Sequence, residues 1–274
     1  MRILVTGHEG FIGKNMMAFL SSQPEWQIDG WEWDPHSFPD VKSYNWVIHL
    51  GAIADMTETD IDKILHQNLE FSQRLFNECN RHGVHLQYAS SSSVYGNTKN
   101  TSEFSPCYPQ TAYAWSKYLF DRWVFQQEQH IMVQGFRYHN CYGKWMHLRG
   151  KRANAIYKWR QQAKKDGYIE VWENAEHIYR DWTWVGDICQ LQLDFMTTVV
   201  GSGIWNVGSG LSHSFLDIAE AIAEQEGVEI RTISIPDIEK SRFRQKTCAD
   251  LKHLKATIGK RRWLNVYEWI EIDS

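Results

Sequence analysis

The fold is decided by the stretch Arg2-Ile3-Leu4-Val5-Thr6-Gly7-His8-Glu9-Gly10-Phe11-Ile12-Gly13. An apolar run of strand length leads into three glycines spaced three apart, and a segment of helical period follows. Gly7 permits a tight turn, Gly10 lets the backbone approach a pyrophosphate, and Gly13 lets the helix pack on the strand. The helix N-terminus then offers amide N–H groups and a positive dipole end to phosphate. The stretch predicts a dinucleotide site at the first turn.

Strand and helix patterns alternate along most of the chain. Strands are predicted at residues 2–6, 28–33, 46–50, 85–90, 132–138 and 204–207. Helices are predicted at residues 10–20, 60–82, 111–129, 153–165, 185–198 and 214–226. This spacing predicts an α/β fold, a doubly wound parallel sheet of the Rossmann type. We expect residues 1–143 and 182–210 to form the NAD-binding Rossmann domain, and residues 144–181 and 211–274 a smaller substrate-binding subdomain.

A carboxylate about 20 residues beyond the glycines is typical of sites that hold the adenosine ribose. Asp34 closes the predicted second strand and is the candidate. No Arg or Lys follows it until Lys42, so nothing is placed to pair a 2′-phosphate. The spacing therefore favours NAD over NADP, although a surface aspartate has the same pattern.

A second motif is Tyr113-Ala114-Trp115-Ser116-Lys117. At positions i and i+4 of a helix, Tyr113 and Lys117 share one face. A nearby ammonium lowers the pKa of a phenol, so the tyrosine can exchange a proton with a substrate oxygen. The motif follows a predicted strand that ends in four serines, residues 90–93, and a serine there can bind the same oxygen.

Composition limits the function further. Arg and Lys number 29 against 33 Asp and Glu, a net charge of −4, which is not the basic footprint of a nucleic-acid binder. Five cysteines, widely spaced and without a CxxC, argue against a disulfide framework and against structural zinc. No apolar run reaches the ~18 residues of a membrane span, and the chain starts directly with a strand pattern. We expect a cytoplasmic protein without a metal site.

With these motifs in place, the chain resembles the extended short-chain dehydrogenase/reductase superfamily, the NAD-dependent epimerases and dehydratases of nucleotide sugars. Within it, the chain is most similar to the heptose 6-epimerases. The similarity to these enzymes lies in residues 49–68, 86–96, 135–143, 180–187, 203–210 and 240–243.

The resemblance implies roles for individual residues. The implied catalytic residues are Ser91, Tyr113 and Lys117, the last two of which also contact the cofactor. The other implied cofactor contacts are Gly7, Gly10, Phe11, Ile12, Gly13, Asp34, Leu50, Gly51, Ala52, Asn68, Ser90, Tyr138 and His139. The implied substrate contacts are Ser91, Ser92, Asn140, Arg180 and Arg242. Arginine suits the nucleotide diphosphate because its fork binds phosphate oxygens bidentately.

The chain departs from this family in two places. Between Asp34 and Trp46 it is short, where the family has a further helix and strand and an Asp that touches adenine. After Gly143, Arg149 stands where heptose epimerases carry a second base, a lysine. Arginine does not give up its proton. Either Lys151 or Lys144 takes that role, or the reaction does not use two bases.

We therefore expect a nucleotide-sugar epimerase that oxidises its substrate transiently with NAD, at carbon 6 of a nucleotide-activated manno-heptose. Dehydratases carry an Asp-Glu pair and decarboxylases a Glu where this chain has Ser92 and Ser93, which disfavours both. The alternatives are an NAD(P)H-dependent keto-sugar-nucleotide reductase, a UDP-sugar 4-epimerase and a non-catalytic NAD-sensing protein. The expected partners are a nucleotide-diphosphate sugar and further copies of the chain, with no nucleic acid and no membrane.

Overall fold

The computed structural model describes residues 1–198, 200–236 and 245–272. Its centre is a six-stranded sheet in which every neighbouring pair is parallel, in the order β10-β5-β4-β3-β1-β2. These strands are β1 Arg2–Thr6, β2 Gln27–Trp31, β3 Trp46–His49, β4 His85–Ser91, β5 Val133–Tyr138 and β10 Gly203–Val207. All six strands predicted from the sequence lie in this sheet. The expected doubly wound parallel sheet is confirmed.

Helices cover the sheet and extend beyond it. Those in the first half of the chain are α1 Phe11–Leu20, α2 Ile61–Ile64, a π-helix Leu65–Glu70, α3 Phe71–His82 and α4 Ala112–Val124. Those in the second half are α5 Ala155–Asp166, α6 Val185–Thr197, α7 Phe215–Glu226, α8 Lys252–Ile258 and α9 Val266–Ile272. Short 3₁₀ turns occupy Ser92–Tyr95, Met146–Arg152 and Ala175–His177. None of the helices in the described part of the chain is long and apolar enough to cross a membrane.

The predicted helix over residues 60–82 is interrupted by the π-helix. Asp60 caps its start, because its side chain accepts the Lys63 N–H at 2.9 Å. The π-helix contains Asn68, which is 1% exposed. π-Turns within α-helices occur frequently at functional sites, and this one lies beside the carboxyl ends of the central strands.

The edge of the sheet at β2 is filled by aromatic side chains. Residues 32–45 connect β2 to β3 without a helix or a strand. Trp31 stacks on Phe71 of α3 at a centroid distance of 5.2 Å, and Phe38 packs on the same ring at 5.4 Å. The Arg74 guanidinium lies 4.0 Å above the Phe38 ring. Aromatic packing on α3 thus fills the region after β2 where the family has a further helix and strand.

The remaining strands form small two-stranded sheets. They are β6 Cys141–Tyr142 with β9 Thr183–Trp184, β7 Tyr168–Trp172 with β12 Glu229–Ile233, and β8 Tyr179–Asp181 with β11 Ser212–Ser214. Helices α5, α7 and α9 share a separate apolar cluster with β7, centred on residues such as Ile156, Ile169 and Ile222. Leu251 and Leu254, in contrast, pack in the cluster of the central sheet. The division into two subdomains stays a prediction.

Candidate active site

The glycine turn joins β1 to α1 as a narrow cradle. Gly7 has φ +71°, and a Cβ on it would lie 2.5 Å from the Cα of Gly51. A Cβ on Gly13 would lie 2.0 Å from the Gly7 carbonyl oxygen, so the helix sits directly on the turn. A Cβ on Gly10 would meet only that same oxygen, at 3.4 Å. Gly7 and Gly13 therefore allow the close packing of the protein itself, whereas Gly10 faces the space above the helix N-terminus at Phe11 and Ile12.

The structure places two carboxylates after β2 in different positions. Glu32 follows the strand directly, and its Oε2 accepts the Glu9 N–H of the glycine turn at 3.2 Å. The carboxylate of Asp34 is three residues past the strand and accepts the His36 N–H at 2.9 Å. That hydrogen bond is the main reason why the pKa of Asp34 lies below its ordinary value. Glu32, which the spacing of residues did not single out, therefore lies at the turn, and Asp34 lies in the following loop.

Asn68 joins the loop after β3 to helix α4. Its Oδ1 accepts the Ile53 N–H at 2.8 Å, and its Nδ2 donates to the Ile53 carbonyl at 3.0 Å and to Ser116 Oγ at 3.1 Å. Ser116 in turn donates to the Tyr113 carbonyl at 2.8 Å. The predicted contacts Leu50, Gly51 and Ala52 lie in the same loop. Asn68 thus fixes this loop relative to the helix that carries the predicted catalytic tyrosine.

A buried chain of hydrogen bonds runs from Thr6 through His49 and Ser72 to the backbone of Asn68. His49 Nδ1 and Thr6 Oγ1 are 2.6 Å apart, and His49 Nε2 and Ser72 Oγ are 2.8 Å apart. Ser72 donates to the Asn68 carbonyl at 2.6 Å. Burial lowers the pKa of His49 to about 3, with a smaller contribution from the charge of Lys117. The imidazole is therefore neutral at physiological pH and bridges β1 and β3 to the π-helix.

Ser91, Tyr113 and Lys117 come together at the carboxyl end of β4. Helix α4 starts at Ala112 because the Thr111 side chain accepts the Ala114 N–H at 3.1 Å, and this start sets the direction of Tyr113. Burial raises the pKa of Tyr113, while a hydrogen bond with Ser91 and the charge of Arg149 oppose the rise. Ser91 Oγ also accepts the Ser93 N–H and Oγ–H, at 3.1 and 2.9 Å.

Lys117 is 6% exposed, and its Nζ donates to the Ala89 carbonyl at 2.8 Å. Burial lowers the pKa of Lys117 to about 8. At neutral pH the ammonium is mostly charged. It can therefore stabilise the anionic form of the Tyr113 phenol, as the sequence motif predicts.

Ser90 belongs to a different environment. Its Oγ donates to Asp121 Oδ2 at 2.9 Å, and Arg137 Nε donates to the same oxygen at 3.0 Å. Arg137 also donates to the Tyr95 hydroxyl at 3.0 Å, which donates to Asn206 at 2.8 Å. These groups form a buried polar network beneath the site. The structure commits the Ser90 hydroxyl to this network, whereas Ser91 reaches Tyr113.

The segment after β5 carries three predicted contacts. Tyr138 is buried, and its hydroxyl donates to Gln192 at 2.8 Å, so its polar end points into the core of the protein. His139 is also buried, and its N–H donates to the Val207 carbonyl at 2.9 Å. The Nδ2 of Asn140 is buried and donates to no group in the described part of the chain. This buried donor can bind a ligand.

The remaining predicted substrate contacts are Arg180, Ser92 and Arg242. Arg180, in β8, donates to the Tyr179 carbonyl at 2.8 Å, and its guanidinium lies 5.3 Å from the Phe215 ring centre. Ser92 opens the 3₁₀ turn after β4. Arg242 falls outside the described residues.

Near the position of the second base, Arg149 lies close to Tyr113, whereas the two candidate lysines do not contact it. Arg149 is partly buried, and its charge acts on Tyr113. Lys151 is exposed, with no hydrogen bond or ion pair to residues 1–198, 200–236 or 245–272. Lys144 is exposed, and its Nζ lies 4.6 Å above the Trp145 ring. Neither lysine contacts Tyr113.

Comparisons with known proteins identify the family of the chain. A family model described as "NAD dependent epimerase/dehydratase family" matches residues 3–208. A curated relative, the ADP-L-glycero-D-manno-heptose-6-epimerase of Brachyspira hyodysenteriae, is 32% identical over 237 residues, which are 84% of this chain and 74% of the relative.

Solved structures show the same fold. The ADP-L-glycero-D-manno-heptose-6-epimerase of Helicobacter pylori has a TM-score of 0.88 at 20% identity, over 99% of this chain and 94% of the other. The UDP-glucose 4-epimerase of Thermus thermophilus, in complex with NAD, has a TM-score of 0.82 at 22% identity, over 98% of this chain and 96% of the other.

The residues present fit NAD. The space beside Gly10 lies at a helix N-terminus, where the pyrophosphate of a dinucleotide binds. Glu32 stands at the same turn, where a carboxylate can accept hydrogen bonds from ribose hydroxyls. The cofactor of this enzyme is NAD, and the chain belongs to the NAD-dependent epimerase/dehydratase family.

Proposed function

We propose that this NAD-dependent nucleotide-sugar epimerase acts at carbon 6 of a nucleotide-activated manno-heptose. The observation that carries the proposal is the placement of Ser91, Tyr113 and a buried Lys117 at the carboxyl end of β4, where Tyr113 bonds to Ser91 and Lys117 donates to the Ala89 carbonyl. The curated heptose epimerase at 32% identity supports the choice of sugar. Ser92 and Ser93 supply no carboxylate for the elimination that a dehydratase performs.

The chain's own groups can carry the proton transfers. The Tyr113 phenolate takes the proton of the sugar hydroxyl, and the Ser91 hydroxyl binds the same oxygen. The Lys117 ammonium stabilises the phenolate by its charge. The chemistry that bound NAD supplies is the reversible oxidation of the sugar carbon. The ketone then turns its other face and is reduced again, so no net redox change results.

We assign the proton transfers on both faces to Tyr113. Arg149, the cation beside Tyr113, does not act as a base because a guanidinium stays protonated. The exposed positions of Lys151 and Lys144 do not favour either lysine as the second base. A role for Lys151 in the catalytic set stays a prediction.

We assign the adenosine ribose to Glu32 in place of Asp34, because the Glu32 carboxylate lies at the glycine turn. We assign the nucleotide diphosphate to Asn140, Arg180 and Arg242. The unpaired, buried amide of Asn140 supports its part in this assignment.

We propose a cytoplasmic homo-oligomer that assembles through the helices of residues 61–82 and 112–124. Large apolar side chains on these helices are exposed. Ile61 is 58% exposed, Trp115 47% and Leu119 37%. Exposed apolar residues that cluster on one surface favour protein–protein contact.

The first experiment is a proton NMR time course with the purified protein, a nucleotide-activated D-glycero-D-manno-heptose and no added cofactor. The expected result is the appearance of the carbon 6 epimer, driven by NAD that stays bound to the protein. The heptose proposal would be wrong if the spectrum does not change and UDP-sugars are epimerised at carbon 4 instead.

The second candidate function is a keto-sugar-nucleotide reductase. The observation that favours it is the exposed, shortened edge beside β2, because a reductase must exchange its cofactor in every cycle. The consumption of added NADH with a keto-sugar nucleotide, together with no epimerisation, would decide for this candidate.

A further inference from the structure

The loop after β3, residues 50–57, lies across the glycine cradle. Its Gly51 faces Gly7 so closely that a Cβ on Gly7 would lie 2.5 Å from the Gly51 backbone nitrogen. On one side, Asn68 binds both the N–H and the carbonyl of Ile53. This loop, which we name the cradle loop, is therefore positioned over any dinucleotide that the cradle holds.

Two arginines bind the cradle loop from the other side. Arg149 Nη2 donates to the Ala54 carbonyl at 3.0 Å. Arg152 Nη1 lies 3.9 Å from Asp55 Oδ2. Asp55 is itself held in the loop, because its Oδ1 accepts the N–H and the hydroxyl of Thr57 at 2.8 and 2.7 Å. Three consecutive residues, 53 to 55, are thus tied to elements outside the loop.

The two arginines are also joined to each other. Arg149 Nε donates to the Arg152 carbonyl at 3.3 Å, so one guanidinium spans two loops. This arrangement needs the fork of donors that arginine has, since an ammonium is a compact point charge without that fixed geometry. Arg149 stands where the resemblance places a lysine base. A lysine at this position would not reproduce its two hydrogen bonds to the Ala54 and Arg152 carbonyls.

We propose that Arg149 and Arg152 form a clasp that holds the cradle loop over bound NAD and slows the release of the cofactor. Arg149 is then a positioning residue that acts on NAD through the Ala54 carbonyl. The proposal rests on NAD as the cofactor and goes beyond the proposed function, because it holds for any sugar the enzyme uses. It also gives a physical reason why the cofactor would stay bound through repeated reactions.

The test measures cofactor release without any sugar. Protein loaded with NADH is mixed with a large excess of NAD⁺, and the loss of energy transfer from tryptophan to NADH gives the dissociation rate. Arg149→Met should raise this rate about tenfold, since it removes a hydrogen bond from a charged donor. Arg152→Met should raise it about twofold, because the exposed ion pair is weak.

Lys151→Met is the matched control. It removes a positive charge between the two arginines from a side chain that makes no hydrogen bond or ion pair within the described ranges. Its dissociation rate should equal that of the unchanged protein. If Lys151→Met accelerates release as much as Arg149→Met does, the effect is one of charge alone and the clasp is disproved.

Arg149→Lys keeps the charge and removes the fork, and should also release NADH faster than the unchanged protein. This variant keeps the test decisive if Arg149→Met does not fold, which the thermal unfolding midpoint would reveal. A dissociation rate within twofold of the unchanged protein for folded Arg149 variants would overturn the proposal. Failure of the heptose proposal would leave these rates unaffected, since no sugar is present.

Discussion

Two halves of the cofactor site differ in how firmly they are built. The catalytic half is the one that holds the proposed catalytic residues Ser91, Tyr113 and Lys117. It rests on buried hydrogen-bond networks that include Asp121, which is 0% exposed. The edge half comprises Glu32, Trp33 and Asp34. These residues follow the edge strand β2 at the start of its connection to β3, and both carboxylates are exposed.

The buried polar network around Asp121 lies near the catalytic half and not near the edge half. Asp121 accepts hydrogen bonds from Ser90, which precedes Ser91, and from Arg137. Such buried support suits the groups proposed to exchange protons, because a misplacement of about 1 Å can cost about 10²-fold in rate. At the edge, a carboxylate only has to accept hydrogen bonds from ribose hydroxyls, and aromatic packing on Phe71 gives the loop enough support. The halves can therefore be perturbed separately, with losses of turnover at one and of cofactor affinity at the other.

The largest effect is expected from Tyr113→Phe. Loss of the group that takes the proton should lower turnover about 10³-fold, while the amount of bound NAD stays the same. NMR of the sugar and chromatography of the released cofactor measure the two quantities. Tyr118→Phe, on the same helix with its ring against Trp115, should keep full turnover. A non-catalytic NAD-sensing protein would show no turnover in any variant and unchanged NAD binding in both. Equal turnover in the two variants would contradict an acid–base role for Tyr113.

Lys117→Met should lower turnover about 10²-fold, because the Tyr113 phenolate loses its neighbouring charge. It should not lower the unfolding temperature at pH 7, since burial of the ammonium already opposes folding.

The lowered pKa of Lys117 predicts the direction in which the stability of the protein changes with pH. The pKa of Lys117 falls from 10.5 in the unfolded chain to about 8 in the folded protein. Between these values the unfolded chain binds more protons, so stability from this group rises as the pH increases from about 8. Thermal unfolding at pH 7 and 9.5 should show this contribution in the unchanged protein and not in Lys117→Met. A variant that is several degrees less stable at pH 7 would instead make the bond to Ala89 the main role of Lys117.

The smallest effect is expected at the edge half. Glu32→Gln should weaken NAD binding about tenfold, since the hydrogen bonds to ribose lose their charged acceptor. Asp34→Asn, two residues on, should change the affinity less than twofold. Calorimetric titration of NAD into cofactor-free protein measures both. The opposite ranking would restore Asp34 as the ribose ligand.

Much of the fold could be predicted because its signals are local. The six strands are short apolar runs, and the glycine turn lies between a strand and a helix. The end of β2 could not be predicted in this way. Its partner β1 ends at Thr6, which pairs with Trp31, and the chain then turns at Gly7. Without a partner strand, β2 stops before Glu32, although the sequence pattern continues to Trp33.

The site was predictable to the extent that its residues lie on regular elements. Tyr113 and Lys117 share a helix face. Tyr113 makes a hydrogen bond with Ser91, and Lys117 donates to the Ala89 carbonyl two residues earlier in the same strand. Ser90 and Ser91 alternate along β4, so only one of them reaches Tyr113. The resemblance implied Ser91 for catalysis and Ser90 for the cofactor, but it did not reveal that the Ser90 hydroxyl donates to Asp121. In the turn of residues 146–152, Gly150 has φ +51°. Spacing in such a segment does not reveal that Arg149, and not Lys151, faces the site.

The π-helix changes the direction in which side chains point along the helical segment of residues 61–82. In an α-helix, four residues turn through about 400°, so positions four apart drift by about 40° at each step. Ile64, Asn68 and Ser72 are spaced by four, and all three are buried on the same side. The wider i→i+5 winding of Leu65–Glu70 cancels that drift. Removal of one residue there would restore regular winding and rotate Asn68 away from Ile53 and Ser116. The one extra residue in the π-helical turn therefore keeps the apolar side chains at the start of the helix and the side chain of Asn68, which contacts the cradle loop, on the same side of the helix.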